Sequence, residues 1–125
     1  MPRSIDVPGL AHNAPIPVGA RVANVLCSSA IAGKDPATGK LAAAPADQAR
    51  LAFENLRRFL EAGAATLSDV VKLTVYIKDD AVREHINAHW LAFWPDPAQR
   101  PARHIVVHDL QHGMALQLEI LAVAS

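Results

Sequence analysis

The sequence predicts an α+β fold in which two helices pack on one face of a mixed β-sheet. Three observations lead to this class. Apolar residues recur at helical spacing in two segments, 46–64 and 80–95. Apolar and polar residues alternate in segments between and after them. No internal repeat or linker divides the 125 residues. We therefore expect one layered domain over residues 1–125.

The N-terminal part of the chain is rich in proline. Residues 1–16 hold three of the nine prolines and predict an extended arm. The run from Val22 to Ile31 has a β-like centre, and the turn-forming pairs of "KDPATGKLAAAP" (34–45) predict a loop; the expected element order of the whole chain is β-β-α-β-α-β-β. No stretch resembles a signal peptide, and no apolar run approaches the ~20 residues that cross a bilayer. We therefore expect no membrane segment.

The next three elements follow from periodicity. In "ADQARLAFENLRRFLEAGA" (46–64), apolar residues fall at three- and four-residue steps, which predicts a helix that Gly63 stops. The segment "VKLTVYIK" alternates and predicts a strand. Residues 80–95 predict a second helix, which Pro95 ends. The predicted inner face of the strand consists of Val71, Leu73, Val75 and Ile77.

Two further strands are predicted near the C-terminus, over residues 103–110 and 114–124. The short turn "QHG" between them predicts an antiparallel pair. In the second strand, apolar residues occupy both faces, so the sheet face away from the helices is expected to contact another subunit. One predicted face carries Leu116, Leu118, Ile120 and Ala122, and the other carries Gln117, Glu119, Leu121 and Val123.

Composition excludes several classes of function. Lys+Arg and Asp+Glu are balanced at 12 each, so the chain has no electrostatic attraction for nucleic acid or an anionic membrane. The single cysteine, Cys27, cannot form an internal disulfide, which favours a reducing cytoplasm. Because Cys27 follows two apolar residues, a buried, inert thiol is expected. No glycine-rich phosphate loop is present, and no nucleotide cofactor is expected.

The number of histidines suggests a metal site, but their spacing in the sequence argues against one. His104, His108 and His112 are four residues apart in strand-like sequence, where that separation is about 13 Å. A single metal ion with bonds of ~2.1 Å cannot hold two such residues. His85 and His89 are four apart on a predicted helix, but they alternate with apolar residues and are expected at the edge of the core. No metal site is predicted.

Arg103 has the strongest functional case in the stretch "RPARHIVVHDLQHGM" (100–114). It opens a strand after a proline-rich loop, and its planar guanidinium can bind a carboxylate through two hydrogen bonds. A solvated surface arginine remains the alternative. Asn87, Gln117 and Glu119 are polar residues in apolar surroundings, where they could line a cleft, position a water or contact a subunit.

Several ordered segments together resemble the reactive intermediate deaminase (RidA, or YjgF) family. The segment "VVKLTVYIKDDAVREHINAHWLAFW" is similar to its "VVKTTVFVKD…NxxYxxFF" block, "RPARHIVV" to its "PAR" block and "LQLEILAV" to its "(I/V)EIEAIAV" end. "NVLCSSAIAGKDPATGKL" is similar to "IFTSGQIPVDPKTGEL", and "QARLAFENLRRFLEAGAATLSDVVK" to "QTRQALENLKAILEAAGASLDDVVK". The resemblance covers about residues 15–123.

This resemblance implies a chorismate-mutase-like fold that forms a homotrimer, with ligand clefts between subunits. Active members hydrolyse enamines and imines to 2-oxo acids and ammonia without a metal or cofactor. The resemblance assigns Arg103 to the substrate carboxylate, with backbone groups near Ser28 and Ile105 adding contacts. It places Asn87 in the cleft and matches Ser28 to the family's "TSG" serine.

The chain departs from the family pattern at three positions of the site. Val18 stands where active members carry tyrosine, Ser29 replaces a glycine, and Gln117 replaces the catalytic glutamate, while Glu119 matches the second glutamate of that block. Glutamine can hold a water but cannot donate a proton as a carboxylic acid does. In an enzyme of this type, Gln117 or Glu119 would position the water.

Three functions therefore remain open. The first is an enamine or imine deaminase acting on a small carboxylate. The second is a non-catalytic trimeric binding protein for a carboxylate metabolite. The third rests on "VHDLQHG", which is similar to a "VHQLPHP" segment of the 2-aminomuconate deaminase branch, where His108 and His112 would flank a larger substrate. The ribonuclease activity ascribed to some members is disfavoured because no basic, aromatic-interleaved stripe is present.

Overall fold

The computed structural model describes residues 1–125 and has a six-stranded mixed sheet with two helices, which confirms the predicted α+β class. The sheet order is β1-β2-β3-β8-β6-β7, and β4 and β5 form a separate ribbon. All neighbouring strands are antiparallel except β6 and β7. The elements in chain order are β1 (Arg3–Ile5), β2 (Gly19–Val22), β3 (Val25–Ser28), β4 (Lys34–Asp35), β5 (Lys40–Leu41), α1 (Pro45–Ala62), β6 (Val70–Ile77), α2 (Arg83–Phe93), β7 (Ala102–Val107) and β8 (Leu116–Val123).

The core lies between the sheet and the two helices. Helix α1 buries one continuous apolar stripe, and β6 and β8 contribute alternate residues that are fully or almost fully buried. Each large side chain buried there contributes about 1.5–3 kcal/mol. The main contributors are Phe53, Leu56, Phe59 and Leu60 of α1, Leu73, Val75 and Ile77 of β6, and Leu116, Leu118 and Ile120 of β8.

The pairing expected for the last two strands is wrong. Strands β7 and β8 are not neighbours, because β6 lies between them. Strand β7 pairs in parallel with β6, and α2 forms the crossover between these two strands. Strand β8 pairs antiparallel with both β6 and β3. A turn signal in the sequence shows where the chain reverses direction but does not show which strand will be its neighbour.

The β-like run predicted from Val22 to Ile31 is not one continuous strand. The chain turns at Ala23 and Asn24, so that Val22 of β2 faces Val25 of β3 in a tight hairpin. Ala23 adopts a left-handed φ of 52° at this turn. Alanine is not a usual residue for that conformation, and the turn therefore gives no clear signal in the sequence. Ile31 makes only an isolated bridge to β8.

The arm predicted over residues 1–16 contributes to the sheet and to the core. Strand β1 pairs with β2 at the sheet edge. Ile5, Val7 and Leu10 are buried in the main core. This segment therefore closes one side of the domain.

The inner face of β6 differs from the prediction at its first residue. The register with β8 shifts between Val70 and Lys72, so Val70 is buried and Val71 is 47% exposed. Because a bulge inserts one residue, it reverses the alternation on one side of it. Val71 is therefore outside the core, and the other three predicted positions are buried.

The sheet face opposite the helices is uncovered and partly apolar. Val22, Val25 and Val123 are 40–50% exposed. Cys27 is exposed as well, so the expectation of a buried thiol is wrong. Leu26 points into the core and its neighbour Cys27 points to the other face, because side chains alternate along a strand.

Helix α1 ends one residue away from the expected geometry. Gly63 caps the helix with φ −89°, and the left-handed position falls on Ala64, with φ 59°. The amide of Ala65 donates to Leu60 O and that of Ala64 to Glu61 O, which is the Schellman pattern. Gly63 is needed for space instead, because a Cβ there would lie 2.3 Å from Cδ2 of Leu26.

Neither helix combines the length and the apolar character that crossing a membrane requires.

Candidate functional site

Arg103 lies on the edge strand β7 and faces α2. It is in register with Leu73 of β6, whose side chain is in the core, so the two side chains share the helix-covered face. Its Nη1 donates a hydrogen bond of 2.8 Å to Oδ1 of Asn87. Its guanidinium carbon lies 4.9 Å from the centre of the Trp90 ring. The structure thus brings together Arg103 and Asn87, two residues singled out from the sequence.

The charge of Arg103 is not neutralised within the chain. None of the ion pairs includes it. Burial lowers the pKa of the Arg103 guanidinium, and the nearby Arg83 guanidinium lowers it further. An arginine still keeps its proton at neutral pH. A half-buried cation without an acidic partner favours an anionic ligand.

Ile105 follows on the same face of β7, and its side chain packs against the core. Its backbone has a different environment. The amide of His108 donates to Ile77 O of β6. Because backbone direction alternates along a strand, the N–H and C=O of Ile105 point away from β6, toward the open sheet edge. These groups are available to a ligand or a second chain.

A second feature of the chain is a cavity of about 400 Å³ at the start of β8, and Arg103 does not line it. The N-terminal arm, the segment before β4 and the loop before β8 form its walls. Its lining is mostly apolar and contains no carboxylate. The lining residues are Leu10, His12, Asn13, Val18, Ala30, Ile31, Ala32, Lys34, Leu41, His112, Met114 and Gln117.

Two of the three positions that depart from the family pattern line this cavity. Val18 is 2% exposed and presents an apolar surface where a tyrosine hydroxyl would be expected. Gln117 is half-buried, and its Nε2 lies 3.3 Å from Sδ of Met114. Across the sheet, Gln117 is opposite Tyr76. The structure therefore brings Val18 and Gln117 into one cavity.

The serines and Glu119 lie outside the cavity lining. Ser28 Oγ accepts a 3.0 Å hydrogen bond from the Ile120 amide. Ser29 Oγ donates to Pro17 O at 3.0 Å, and its amide donates to Val18 O at 2.8 Å. Both serines thus fix the backbone that carries the cavity wall. Glu119 is on the uncovered face of β8, opposite Thr74.

Two buried amides that the sequence reasoning missed support the cavity walls. Gln48 donates to Ala42 O at 2.9 Å and to Gly113 O at 3.1 Å, and its Oε1 accepts from the Ala115 amide at 2.8 Å. Asn55 donates to Ala32 O and Lys34 O, at 3.0 and 2.8 Å. Both lie on α1 among apolar residues, and that placement was the only signal in the sequence.

The histidines of the C-terminal stretch are not at the end of a hairpin, since β7 and β8 do not pair. The rings of His108 and Tyr76 are 6.3 Å apart, and His112 lies at the cavity with a left-handed φ of 62°. His104 is exposed. No three His, Cys, Asp or Glu side chains come together in a way that could hold a metal ion.

The family model described as endoribonuclease L-PSP matches residues 13–124. The chain belongs to this family, which includes the RidA proteins. It is 33% identical over 119 residues to the 2-iminobutanoate/2-iminopropanoate deaminase of Escherichia coli. The aligned region covers 90% of this chain and 93% of that protein. It is also 32% identical to a RutC family protein of Aquifex aeolicus over 116 residues, or 88% of this chain and 93% of that protein.

Solved structures of RidA proteins confirm the YjgF-type fold. The crystal structure of RidA from an Antarctic Psychrobacter aligns with a TM-score of 0.89 and 28% identity, over 97% of this chain and 98% of that one. The structure of Escherichia coli TdcF with bound serine aligns with a TM-score of 0.88 and 27% identity, over 98% of this chain and 99% of that one.

Proposed function

We propose that this RidA-family chain is a hydrolytic deaminase of enamine and imine intermediates of small carboxylates. The products are a 2-oxo acid and ammonia. The observation that carries this proposal is the unpaired guanidinium of Arg103, which Asn87 and Trp90 hold in place. A guanidinium fixed in this way loses little side-chain entropy when it binds a carboxylate through two hydrogen bonds.

The active site would be completed by a second copy of the chain. Within one chain, Arg103 does not line the cavity that contains Gln117. The uncovered sheet face is partly apolar, which favours association with another subunit. In a homotrimer, the Arg103 edge of one protomer would face the cavity of the next. The carboxylate and the reacting carbon of one substrate would then be held by two protomers.

The reaction requires a water positioned against the imine carbon. The Gln117 amide can hold this water, since it has both a donor and an acceptor. The water oxygen forms a bond to the imine carbon, and the carbon–nitrogen π electrons move to nitrogen. Collapse of the resulting carbinolamine breaks the carbon–nitrogen bond and releases ammonia. Glu119, on the same strand face, is the second residue that could position the water.

Two observations on relatives support the choice of substrate class. A 33% identical relative is named as a deaminase of 2-iminobutanoate and 2-iminopropanoate, both of which are small imino acids. Another relative binds serine in its crystal structure. Each of these molecules carries one carboxylate beside a nitrogen-bearing carbon, which fits a site with one free arginine.

A carboxylate-binding protein without turnover is the second candidate function. Val18 and Gln117 favour it, because neither side chain can transfer a proton. Lys34 and His112, both at the cavity, would suit a larger dicarboxylate of the 2-aminomuconate type in either a binding protein or an enzyme. Calorimetry with 2-oxo acids and dicarboxylates separates these cases from the first, because binding without ammonia release supports the second candidate.

The test is ammonia release from 2-iminobutanoate generated in situ. The wild-type protein should accelerate hydrolysis over buffer, and Arg103→Ala should remove most of this acceleration. Arg57→Ala, an exposed arginine of α1, is the matched control and should retain it. Sedimentation of the same samples should show a trimer. An acceleration that is absent in the wild type, or unchanged in Arg103→Ala, would contradict the proposal.

A further inference from the structure

Arg83 begins helix α2 and lies on the side of the helix that faces the Arg103 edge. Residues four apart on a helix are neighbours, with Cβ atoms about 5–6 Å apart, so Arg83 lies one turn before Asn87. Asn87 in turn accepts the 2.8 Å hydrogen bond of Arg103. Because α2 connects the parallel strands β6 and β7, it runs opposite to them, and Arg83 is beyond Asn87 in the direction of Ile105. The two arginines therefore flank one stretch of the open sheet edge.

The electrostatics of Arg103 agree with this placement. Burial lowers the pKa of Arg103 most, and the Arg83 guanidinium is the one charged group that lowers it further. No carboxylate acts on Arg103 in the opposite direction. Two like charges beside one edge repel each other, and negative charge placed between them removes the repulsion. A ligand with two negative charges can neutralise both guanidinium groups.

The carboxylates around the start of α2 are engaged elsewhere. Asp79 accepts a 2.9 Å hydrogen bond from a backbone amide of its own turn. Oε1 of Glu84 lies 4.0 Å from Nε2 of His85. Asp80 accepts from Nε of Arg83 at 3.0 Å, but the Asp80 side chain is 79% exposed, so solvent screens much of this pair. None of these groups neutralises Arg103.

The contact with Asp80 orients Arg83 and leaves most of its donors available. It uses Nε, one of the nitrogens that carry the five N–H donors of an arginine. The Arg83 side chain is 42% exposed, so its two Nη groups are open to a ligand. Each guanidinium can bind one carboxylate. One turn of helix, about 5.4 Å, is a distance that the two carboxylates of a four- or five-carbon dicarboxylic acid can span.

We propose that Arg83 determines the specificity of this site and makes it prefer imines of dicarboxylic amino acids, an inference that rests on the proposed deaminase function. Arg103 binds the carboxylate beside the imine carbon. The Nη groups of Arg83 bind the second carboxylate, at the end of a side chain of one or two methylene groups. Substrates without this second carboxylate are held by Arg103 alone.

The experiment compares two imines that amino-acid oxidases generate in situ, 2-iminoglutarate from glutamate and 2-iminobutanoate from 2-aminobutanoate, with catalase present. The wild-type kcat/KM should be about tenfold higher for 2-iminoglutarate. In Arg83→Gln this ratio should fall about tenfold, mainly through KM, because one charge-assisted contact is lost. Arg83→Lys keeps the charge and should retain part of the preference. Arg57→Gln removes the same charge from an exposed position of α1 and should keep the wild-type ratio.

Calorimetry adds a measurement that does not depend on turnover. In the wild type, the Kd of 2-oxoglutarate should be about tenfold lower than that of 2-oxobutanoate, and the two values should become similar in Arg83→Gln. An active wild type without the preference, or an unchanged ratio in Arg83→Gln, overturns the role of Arg83 and leaves the deaminase function standing. A wild type that hydrolyses neither imine overturns the proposed function, and the two Kd values then decide the role of Arg83.

Discussion

The cavity beside Gln117 and the edge that carries Arg103 are built in different ways. Two buried amides of α1, Gln48 and Asn55, bind five backbone groups in the cavity walls. Arg103 is held by one hydrogen bond and one aromatic ring, and its strand has a neighbour on one side only. The cavity is therefore preformed within one chain, whereas the arginine edge is open to a second chain or a ligand. Substitutions at the two regions should therefore differ in whether they change stability or binding.

The largest effect is expected at the cavity end. Gln48 is 1% exposed, and Gln48→Ala leaves the backbone groups of Ala42, Gly113 and Ala115 unpaired. Since one buried unpaired group costs about 1–3 kcal/mol and some of these will reach water, we expect a loss of about 2–4 kcal/mol in the free energy of unfolding. Urea denaturation measures it. Gln99→Ala, at an exposed position, should change stability by less than about 0.5 kcal/mol.

A smaller effect is expected at the Arg103 edge, where a substitution should change ligand binding and not stability. Arg103→Lys keeps the charge but loses the planar fork that contacts both Asn87 and a carboxylate. We expect the Kd for a 2-oxo acid to rise about tenfold, which is about 1.4 kcal/mol. The free energy of unfolding should stay within about 0.5 kcal/mol of the wild type. If Arg103→Lys lowers the free energy of unfolding by as much as it weakens the free energy of binding, Arg103 is a structural residue.

A substitution at the end of α1 is expected to increase stability without changing the cavity or the Arg103 edge. Ala64 is exposed and has a left-handed φ of 59°. Glycine adopts this conformation without steric cost, so Ala64→Gly should increase the free energy of unfolding by about 1 kcal/mol. Thermal denaturation measures it, and Ala62→Gly, within the last helical turn, should destabilise instead. Ligand affinity should be the same in both variants.

The smallest expected effect is a pH dependence of stability from His89, which packs α2, the helix that carries Asn87, against α1. The His89 ring stacks on Phe53 of α1 at 5.4 Å. Burial lowers the pKa of His89 from its ordinary value of 6.5; Glu54 opposes this shift, and Arg50 and His85 add to it. The folded state then binds fewer protons than the unfolded state, so this stabilisation is present above about pH 6.5 and is lost as the pH falls below it.

Melting temperatures at about pH 7.5 and pH 5 test this sign. The wild type should lose more stability on acidification than His89→Gln, which has no titrating group at that position. An equal loss in both proteins would assign the acid sensitivity to other groups.

The sequence predicted individual residues in both parts of the site. Arg103 could be selected because it opens a strand after a proline-rich loop, and Asn87 and Gln117 because they are polar residues in apolar surroundings. Val18 could be selected only from the family resemblance, which places a tyrosine there. Their spatial grouping could not be predicted, because strand neighbours such as β6 and β7 are set by packing across the whole sheet. Gln48 was missed because a single amide on a helix is more often solvated than buried, although Leu51 and Ala52, at helical spacing from it, are apolar.

Two residues that were expected to be buried, Cys27 and Val71, point away from the core. Cys27 and Val71 lie next to core residues in the sequence but point to the other face of the sheet. At Cys27 the alternation of a short strand decides the direction, and at Val71 a bulge reverses it. Hydrophobic neighbours therefore do not establish burial where strands are short or irregular.

The position of β8 has a consequence for the order of events in folding. This strand is the last element of the chain, yet it lies between β3 and β6, and Val25 is paired with Val123. Because β8 follows the other strands in chain order, the sheet cannot close while the ribosome still holds residues 116–123. Before that, the backbone edges of β3 and β6 that pair with β8 have no partner and are open to chaperones or to aggregation. The two halves of the sheet are therefore expected to join only after β8 has left the ribosome.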